Sequence, residues 1–296
     1  MLVGRWGQWI ESRVPRGDSK RDFRWGIISW VGVVAPVVTL ALLWQIEEFR
    51  FLEDWVAEGP EPYPGIRVLE GVAVVLVTVV WTKSQFTLRG LITFPERALA
   101  RSGESLRREV SLLVNRPTQD LPEPLLYSAL VETTAENCTD SVVSPLFYYA
   151  LFALPGLVAY RAINTLDALW GHWDDRHRYF GRFTARVDHV MNWGPDRLAA
   201  AILLVVSGGF RRPVPLISPP SARRTVPSTI RAAARIQQVR LERVGSYVVG
   251  EGLRAPGPAD VREMLHHVRR VGHLSLLLSL ALIGGVVLVV GAFGVL

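Results

Sequence analysis

Charge disappears from the chain in two long runs. Gly26–Ile46 passes 21 residues, and Leu274–Leu296 passes 23, without an Asp, Glu, Lys or Arg. About 20 apolar residues at 1.5 Å each cross a hydrocarbon core of about 30 Å, so both runs predict membrane-spanning helices. A third span is predicted at Val68–Thr82, whose clean part is Gly71–Thr82 and which keeps Glu70 near the interface. Leu198–Phe210 is apolar but too short to cross alone. Val142–Tyr160 has 19 uncharged residues, yet Leu154-Pro155-Gly156 interrupts it, and Pro-Gly is a strong turn signal. Either this segment spans, which places 161–197 outside, or it folds as a re-entrant hairpin with both flanking polar blocks on the cytoplasmic side. The re-entrant form is expected, because those blocks read as parts of one site, and non-helical backbone at membrane depth is tolerated where protein or a cavity surrounds it. The pattern predicts an all-α, polytopic integral membrane protein with three to five membrane segments, some re-entrant, plus cytoplasmic amphipathic helices.

Composition agrees with that pattern: 49% of the 296 residues are hydrophobic and the mean hydropathy is +0.23. The net charge of +6 matters less than its placement. Residues 1–25 carry six Lys or Arg, which predicts a cytoplasmic N-terminus in the cell membrane. The loop expected at Glu47–Arg67 is acidic and suits the outer face, while Lys83–Arg116 is basic again and suits the inner one. Residues 211–273 hold a dozen arginines and no lysine. This stretch is expected to be a cytoplasmic, membrane-facing surface, with no nucleic-acid partner. No secretory signal is expected, since a long charged lead precedes the first apolar run. The single cysteine, Cys138, excludes an internal disulfide framework and reads as a small packing residue.

Four polar blocks stand out against this background. In VETTAENCTDSVVSPLF (131–147), Glu132, Glu136 and Asp140 stand four apart and share one face of a helix that runs into an apolar segment. Like charges at that spacing repel by about 0.2–0.5 kcal/mol per exposed pair. SLLVNRPTQDL (111–121) carries Arg116 and Thr118; YRAINTLDALWGH (160–172) carries Asn164, Thr165 and Asp167; YFGRFTARVDHVMNWGPDRL (179–198) carries Arg186, Asp188, Asn192 and Arg197. There is no nucleophile elbow and no Walker A pattern. Oxygen ligands suit a hard cation such as Mg²⁺, and arginines suit phosphates and carboxylates. Together they point to phosphoryl chemistry run by positioning and electrostatics. The blander alternatives are a solvated acidic face, a helix cap at Asn164 with Asp167 in its first turn, and a structural pairing of Arg186 with Asp188. His172, His177 and His189 are too scattered to suggest zinc.

These blocks, in this order and spacing, resemble the CobD/CbiB family of cobalamin biosynthesis, the adenosylcobinamide-phosphate synthases. The resemblance is dense over about residues 105–200, within a single domain spanning 1–296; a divergent Arg-rich segment (211–273) and the last span (274–296) follow. It implies a multi-span membrane ligase that joins the propionate carboxylate of adenosylcobyric acid to aminopropanol phosphate, at the expense of ATP with Mg²⁺. The implied partners are the corrinoid, the amino-alcohol phosphate, the bilayer and other cobalamin-assembly enzymes. Carried over by position, Glu132, Glu136, Asn137 and Asp140 form the metal or amine pole, with Glu136 and Asp140 as the Mg²⁺ ligands. Asn164, Thr165 and Asp167 are expected to face them across the Pro-Gly turn. Arg116, Thr118, Arg186, Asp188, Asn192 and Arg197 are expected at the substrate and its phosphates.

Several positions depart from the family pattern. Family members usually begin with a further apolar segment containing Gly-Asp-Pro and His-Pro, whereas this chain opens at MLVGRWGQWI. Val-Gly-Arg-Asp-Thr reads Val114-Asn115-Arg116-Pro117-Thr118, and Ala-Arg-x-Asp-Asp reads Ala185-Arg186-Val187-Asp188-His189. Pro-Ala-Arg reads Pro195-Asp196-Arg197, and a later Ser-Pro-Asn region reads Val226-Pro227-Ser228-Thr229. Two lost acids motivate a second reading, a relative that keeps the fold as a membrane scaffold or sensor. A transporter is the third; it would place acids at mid-span, often in repeated halves.

Overall fold

A computed structural model describes residues 2–15, 17–57, 64–172, 174–213, 217–218 and 226–292. Four helical stretches among them are long and apolar enough to cross a membrane: Ser19–Trp55, Val68–Leu99, Glu123–Trp170 and Pro258–Leu288. Large apolar side chains stand exposed along them, Val75, Leu76, Val79 and Val80 in the second and Leu277, Leu280 and Leu288 in the last. Surface of that kind is covered by lipid, not water. The protein is an all-α polytopic membrane protein, and its chain divides into two compact units.

The first unit comprises residues 1–86 and 147–191. It contains α1 (Leu2–Glu11), α2 (Ser19–Ala57), α3 (Pro64–Ser84) and parts of two helices named below. At 39 residues, α2 is about 58 Å long, far more than a bilayer core requires. The acidic loop expected at Glu47–Arg67 is therefore helical as far as Ala57 and again from Pro64 in α3, and 58–63 lies outside the described residues. EEFRFLEDWVA contains good helix formers and an i,i+3 pair, Glu47–Arg50 at 3.0 Å, so nothing in it stops the helix. One consequence is that Glu48, expected at the outer face, accepts a hydrogen bond from Thr78 Oγ1 (3.2 Å) within the apolar run of α3. Thr78 in turn accepts from Trp44 Nε1, and Glu48 from Gln45 Nε2. An acid thus lies alongside a span. At the other end of α2, buried Glu11 of α1 takes Arg176 Nε at 2.8 Å and His177 Nε2 at 3.1 Å, which ties α1 to residues 176–177.

The second unit comprises residues 87–146 and 192–296. It contains α4 (Leu88–Leu99), α5 (Gly103–Ser111), α6 (Glu123–Cys138) and a π-helical turn (Thr139–Val143). Helix α7 (Ser144–Trp170) begins in this unit and continues in the first; α8 (Arg182–Ser207) begins in the first and ends here. Strand β1 (Ile217–Ser218), α9 (Ser228–Gln237), β2 (Leu241–Arg243), β3 (Tyr247–Val249) and α10 (Pro258–Ala292) complete it. Helix α6 is buried over most of its length: Leu126, Ala129, Leu130, Val131, Ala135 and Cys138 are all buried, and exposed polar residues stand at its ends. It packs against α10, α9, β2, α4 and α5 and is the centre of the unit.

Helix α7 is broken, as the Pro-Gly signal predicts, but the break falls at Phe152 and Ala153, ahead of Leu154. A proline ring clashes with the carbonyl four residues earlier, here Leu151, so the chain leaves the helix between them and resumes with Pro155 in the first new turn. Gln45 Oε1 accepts the amide of Leu154 at 3.4 Å, which satisfies one donor of the restarted helix. Gly156 is required there, because a Cβ would stand 2.6 Å from the Tyr148 carbonyl oxygen.

The described part of the Arg-rich segment, which leaves out 214–216 and 219–225, folds into α9 and a small antiparallel sheet ordered β1-β3-β2, whose β2–β3 hairpin turns through Gly245 at φ +72°. Two departures from the family pattern meet here. Pro227 precedes α9 and brings no capping side chain, and Asp196 of α8 supplies the cap instead. Its carboxylate accepts Ser228 N at 2.8 Å, and Thr229 N and Oγ1 at 3.3 Å each. Loss of a cap costs about 0.5–2 kcal/mol. Asp196→Ala is expected to lower the melting temperature in detergent by a few degrees, while Asp196→Asn, which still accepts, recovers most of the loss.

Candidate active site

The stripe Glu132–Glu136–Asp140 is divided by the fold. Glu132 is 4% exposed and both its oxygens are committed. Oε1 accepts Ser128 Oγ at 2.6 Å and faces Arg116 Nη2 at 3.4 Å; Oε2 accepts Tyr247 OH at 2.9 Å. Ser128 Oγ also accepts the amide of Glu242 at 2.8 Å, and Arg116 Nη1 reaches the Glu242 carbonyl at 3.5 Å. The cluster joins α6, the loop before it and the β2–β3 hairpin. Burial, and then the neighbouring Glu132 carboxylate, push the Tyr247 hydroxyl above its ordinary value near 10.

Glu136 and Asn137 are exposed, and Asp140 is half-buried. Between them and the apolar segment the helix widens into the π turn at Thr139–Val143, which departs from the four-residue spacing that put Asp140 in line with the two glutamates. Such turns occur mostly as single insertions and often at functional sites. The Asn137 amide is fixed by donation from Nδ2 to Thr133 Oγ1 at 2.9 Å, and Thr133 Oγ1 donates to the Leu113 carbonyl at 3.3 Å. Past the π turn, Ser144 Oγ donates to Asn192 Oδ1 at 2.8 Å. Among the described residues no three His, Cys, Asp or Glu side chains gather as a metal-ligand group. A cation held by Glu136 and Asp140 would therefore draw on the Asn137 carboxamide, water and substrate, a ligand set that suits Mg²⁺.

The other expected residues fall as follows. Thr118 is buried, and its carbonyl and that of Leu121 accept Arg107 Nη1 at 2.5 and 2.6 Å, so Arg107 shapes the loop that carries Arg116. Arg197 lies over the Trp193 ring at 4.1 Å and donates to its carbonyl at 2.6 Å. In the first unit, Asn164 and Asp167 are interior residues of α7, which overturns the cap reading for them. Asn164 Nδ2 lies 3.5 Å from Asp188 Oδ1, while Thr165 Oγ1 donates to the Arg161 carbonyl at 2.6 Å. Arg186 is exposed on α8. Sequence reasoning missed Ser128, Tyr247 and Arg107. Tyr247 lies 115 residues from Glu132 and carries no local signal, whereas Ser128 stands four before Glu132 and was legible as a helix-face neighbour.

The sequence family described as CobD/Cbib protein matches residues 1–275. The chain is 43% identical over 133 residues to a "Probable cobalamin biosynthesis protein CobD" of Pyrococcus furiosus, covering 45% of this chain and 47% of that protein. It is 37% identical over 205 residues to the protein of the same description from Thermococcus kodakarensis, covering 69% and 62%. With the "Cobalamin biosynthesis protein CobD" of Dehalococcoides mccartyi it shares 31% over 268 residues, covering 85% and 81%. The chain thus spans about half to two thirds of the length of the first two relatives. No solved structure matches it.

Removing one partner of a buried ion pair leaves the other uncompensated, at about 3–5 kcal/mol. Arg116→Met is expected to destabilise the protein in that range, read by chemical or thermal unfolding in detergent. Tyrosine absorbance titration is expected to show Tyr247 still protonated after the exposed tyrosines ionise, and Tyr247→Phe removes that late step. With its folded value raised, Tyr247 contributes stability that is present below about pH 10 and lost as pH rises beyond it.

Proposed function

The chain belongs to the CobD/CbiB family of cobalamin biosynthesis, and from that premise we propose that it is an adenosylcobinamide-phosphate synthase. It joins the propionate carboxylate of adenosylcobyric acid to the amine of aminopropanol phosphate, with ATP as co-substrate. The observation that carries this reading is the division of the acidic stripe, which leaves Glu136, Asn137 and Asp140 around the π turn and outside the buried Glu132 cluster.

A carboxylate does not form an amide in water without activation. Its oxygen takes the terminal phosphoryl group of ATP, releasing ADP; the amine nitrogen then attacks the acyl carbon, and phosphate leaves. The incoming amine enters as an ammonium and must lose protons as the new bond forms. In this reading Glu136 and Asp140 supply negative charge that draws this cation in, and the exposed Glu136 carboxylate accepts a proton. Mg²⁺ at Glu136, Asp140 and the Asn137 carboxamide would neutralise phosphate charge. Glu132 does not take part directly; with Ser128, Arg116 and Tyr247 it holds α6 in place and acts as a positioning residue.

Purified protein in detergent or nanodiscs, supplied with adenosylcobyric acid, aminopropanol phosphate, ATP and Mg²⁺, is expected to form the amide. Glu136→Gln is expected to lower the rate at least about 100-fold, the lower end of what a general base contributes. No product from the parent would move the reading to a non-catalytic membrane relative, to which Pro117 and His189 already point.

A further inference from the structure

Helix α1 presents three faces, and the protein covers only one of them. Val3 and Ile10 pack against the core of the first unit, with Val33, Val34, Leu166 and Trp170. Gly7 allows that approach, since a Cβ there would stand 2.9 Å from the Leu166 side chain. At about 100° per residue, Arg5, Gln8 and Ser12 share a second face, which is exposed and polar. Leu2, Trp6 and Trp9 form a third, exposed and apolar. Arg13, in the turn that closes the helix, lies over the Trp9 ring at 3.9 Å and donates to the Trp9 carbonyl at 3.2 Å, which adds a cation to this face. The rotation is locked. Glu11 projects from the side opposite Leu2, Trp6 and Trp9, where it is buried and paired with Arg176 and His177, so the tryptophans do not roll inward.

What covers the third face follows from where α1 sits. A Cβ on Gly32 of α2 would stand 3.9 Å from Ile10 Cδ1, so α1 lies beside the apolar run of α2, six residues in from its start at Gly26. At 1.5 Å per residue that is about 9 Å inside the end of the run. An interfacial helix buries its apolar face about 5–10 Å into the boundary between headgroups and acyl chains, and the two depths agree. Ile28 and Val31, on the same stretch of α2, are large, apolar and exposed, so lipid already reaches this level of the span. Tryptophan suits that depth, because its ring is apolar while its N–H needs a polar partner.

We propose that α1 is an interfacial helix: it lies along the membrane surface beside the end of α2, with Leu2, Trp6 and Trp9 seated on lipid at the headgroup–acyl boundary and Arg13 reaching the headgroup phosphates. Spin labels on the full-length protein in phospholipid nanodiscs test this. The labelled positions are Trp9→Cys on the apolar face and Gln8→Cys on the polar one, each in a Cys138→Ala background. Both side chains are exposed, so the fold is expected to be retained, and Leu2→Cys is a second reporter of the apolar face that spares both tryptophans. Oxygen concentrates in lipid and a water-soluble nickel chelate in water. The label at 9, and that at 2, is expected to relax faster with oxygen than with the chelate, and the label at 8 faster with the chelate. Faster relaxation with the chelate at 9 and 2, as at 8, would place the face in water and overturn the proposal. Protection of 9 and 2 from both reagents would mean that protein covers the face, and would overturn it too; dipolar broadening between labels would then identify a second copy of the chain as the cover.

Discussion

The buried carboxylate of Glu132 is the constraint on which the second unit depends. A charge taken out of water is expensive unless its lone pairs are met, and here Ser128, Tyr247 and Arg116 meet them. These partners come from three separate parts of the chain. Satisfying one carboxylate therefore fixes the rotation of α6, the course of the loop at Arg116 and the seat of the β2–β3 hairpin together. The hairpin is small, and its packing against α6 and its bond from Glu242 N to Ser128 hold it there.

The chemistry proposed follows from what covers that face. Glu136 stands one turn beyond Glu132 on the same side of α6, but Tyr247 of the hairpin and Arg116 close over Glu132, while Glu136 and Asn137 stay exposed and the π turn follows at Thr139–Val143. Three like charges that repel on a plain helix are separated into one structural acid and two exposed or half-exposed ones. Structure and candidate site are successive turns of one helix.

Much of this was legible in the sequence, for identifiable reasons. Uninterrupted apolar runs marked the spans, and Pro155 marked the break in α7, because backbone sterics act locally. The extension of α2 is hidden in the sequence because charged residues end a helix's fit to lipid without ending the helix. The hairpin at Leu241–Val249 was hidden by the surrounding arginines, which suggested surface and not sheet. The π turn leaves no compositional trace in TDSVV, and the partnership of Tyr247 with Glu132 depends on tertiary packing alone. Asp196 is an isolated departure in the sequence because its partners, Ser228 and Thr229, lie more than 30 residues away.

The division of the acidic stripe is tested most directly by thermal unfolding of Glu132→Gln and Glu136→Gln side by side in the same detergent. Glu132→Gln leaves Arg116 buried without its counter-charge and is expected to melt several degrees lower than the parent. Glu136→Gln changes an exposed side chain and is expected to lower the melting temperature less than Glu132→Gln does. Equal losses in the two variants, or a larger loss in Glu136→Gln, would contradict the assignment of one acid to structure and the other to chemistry.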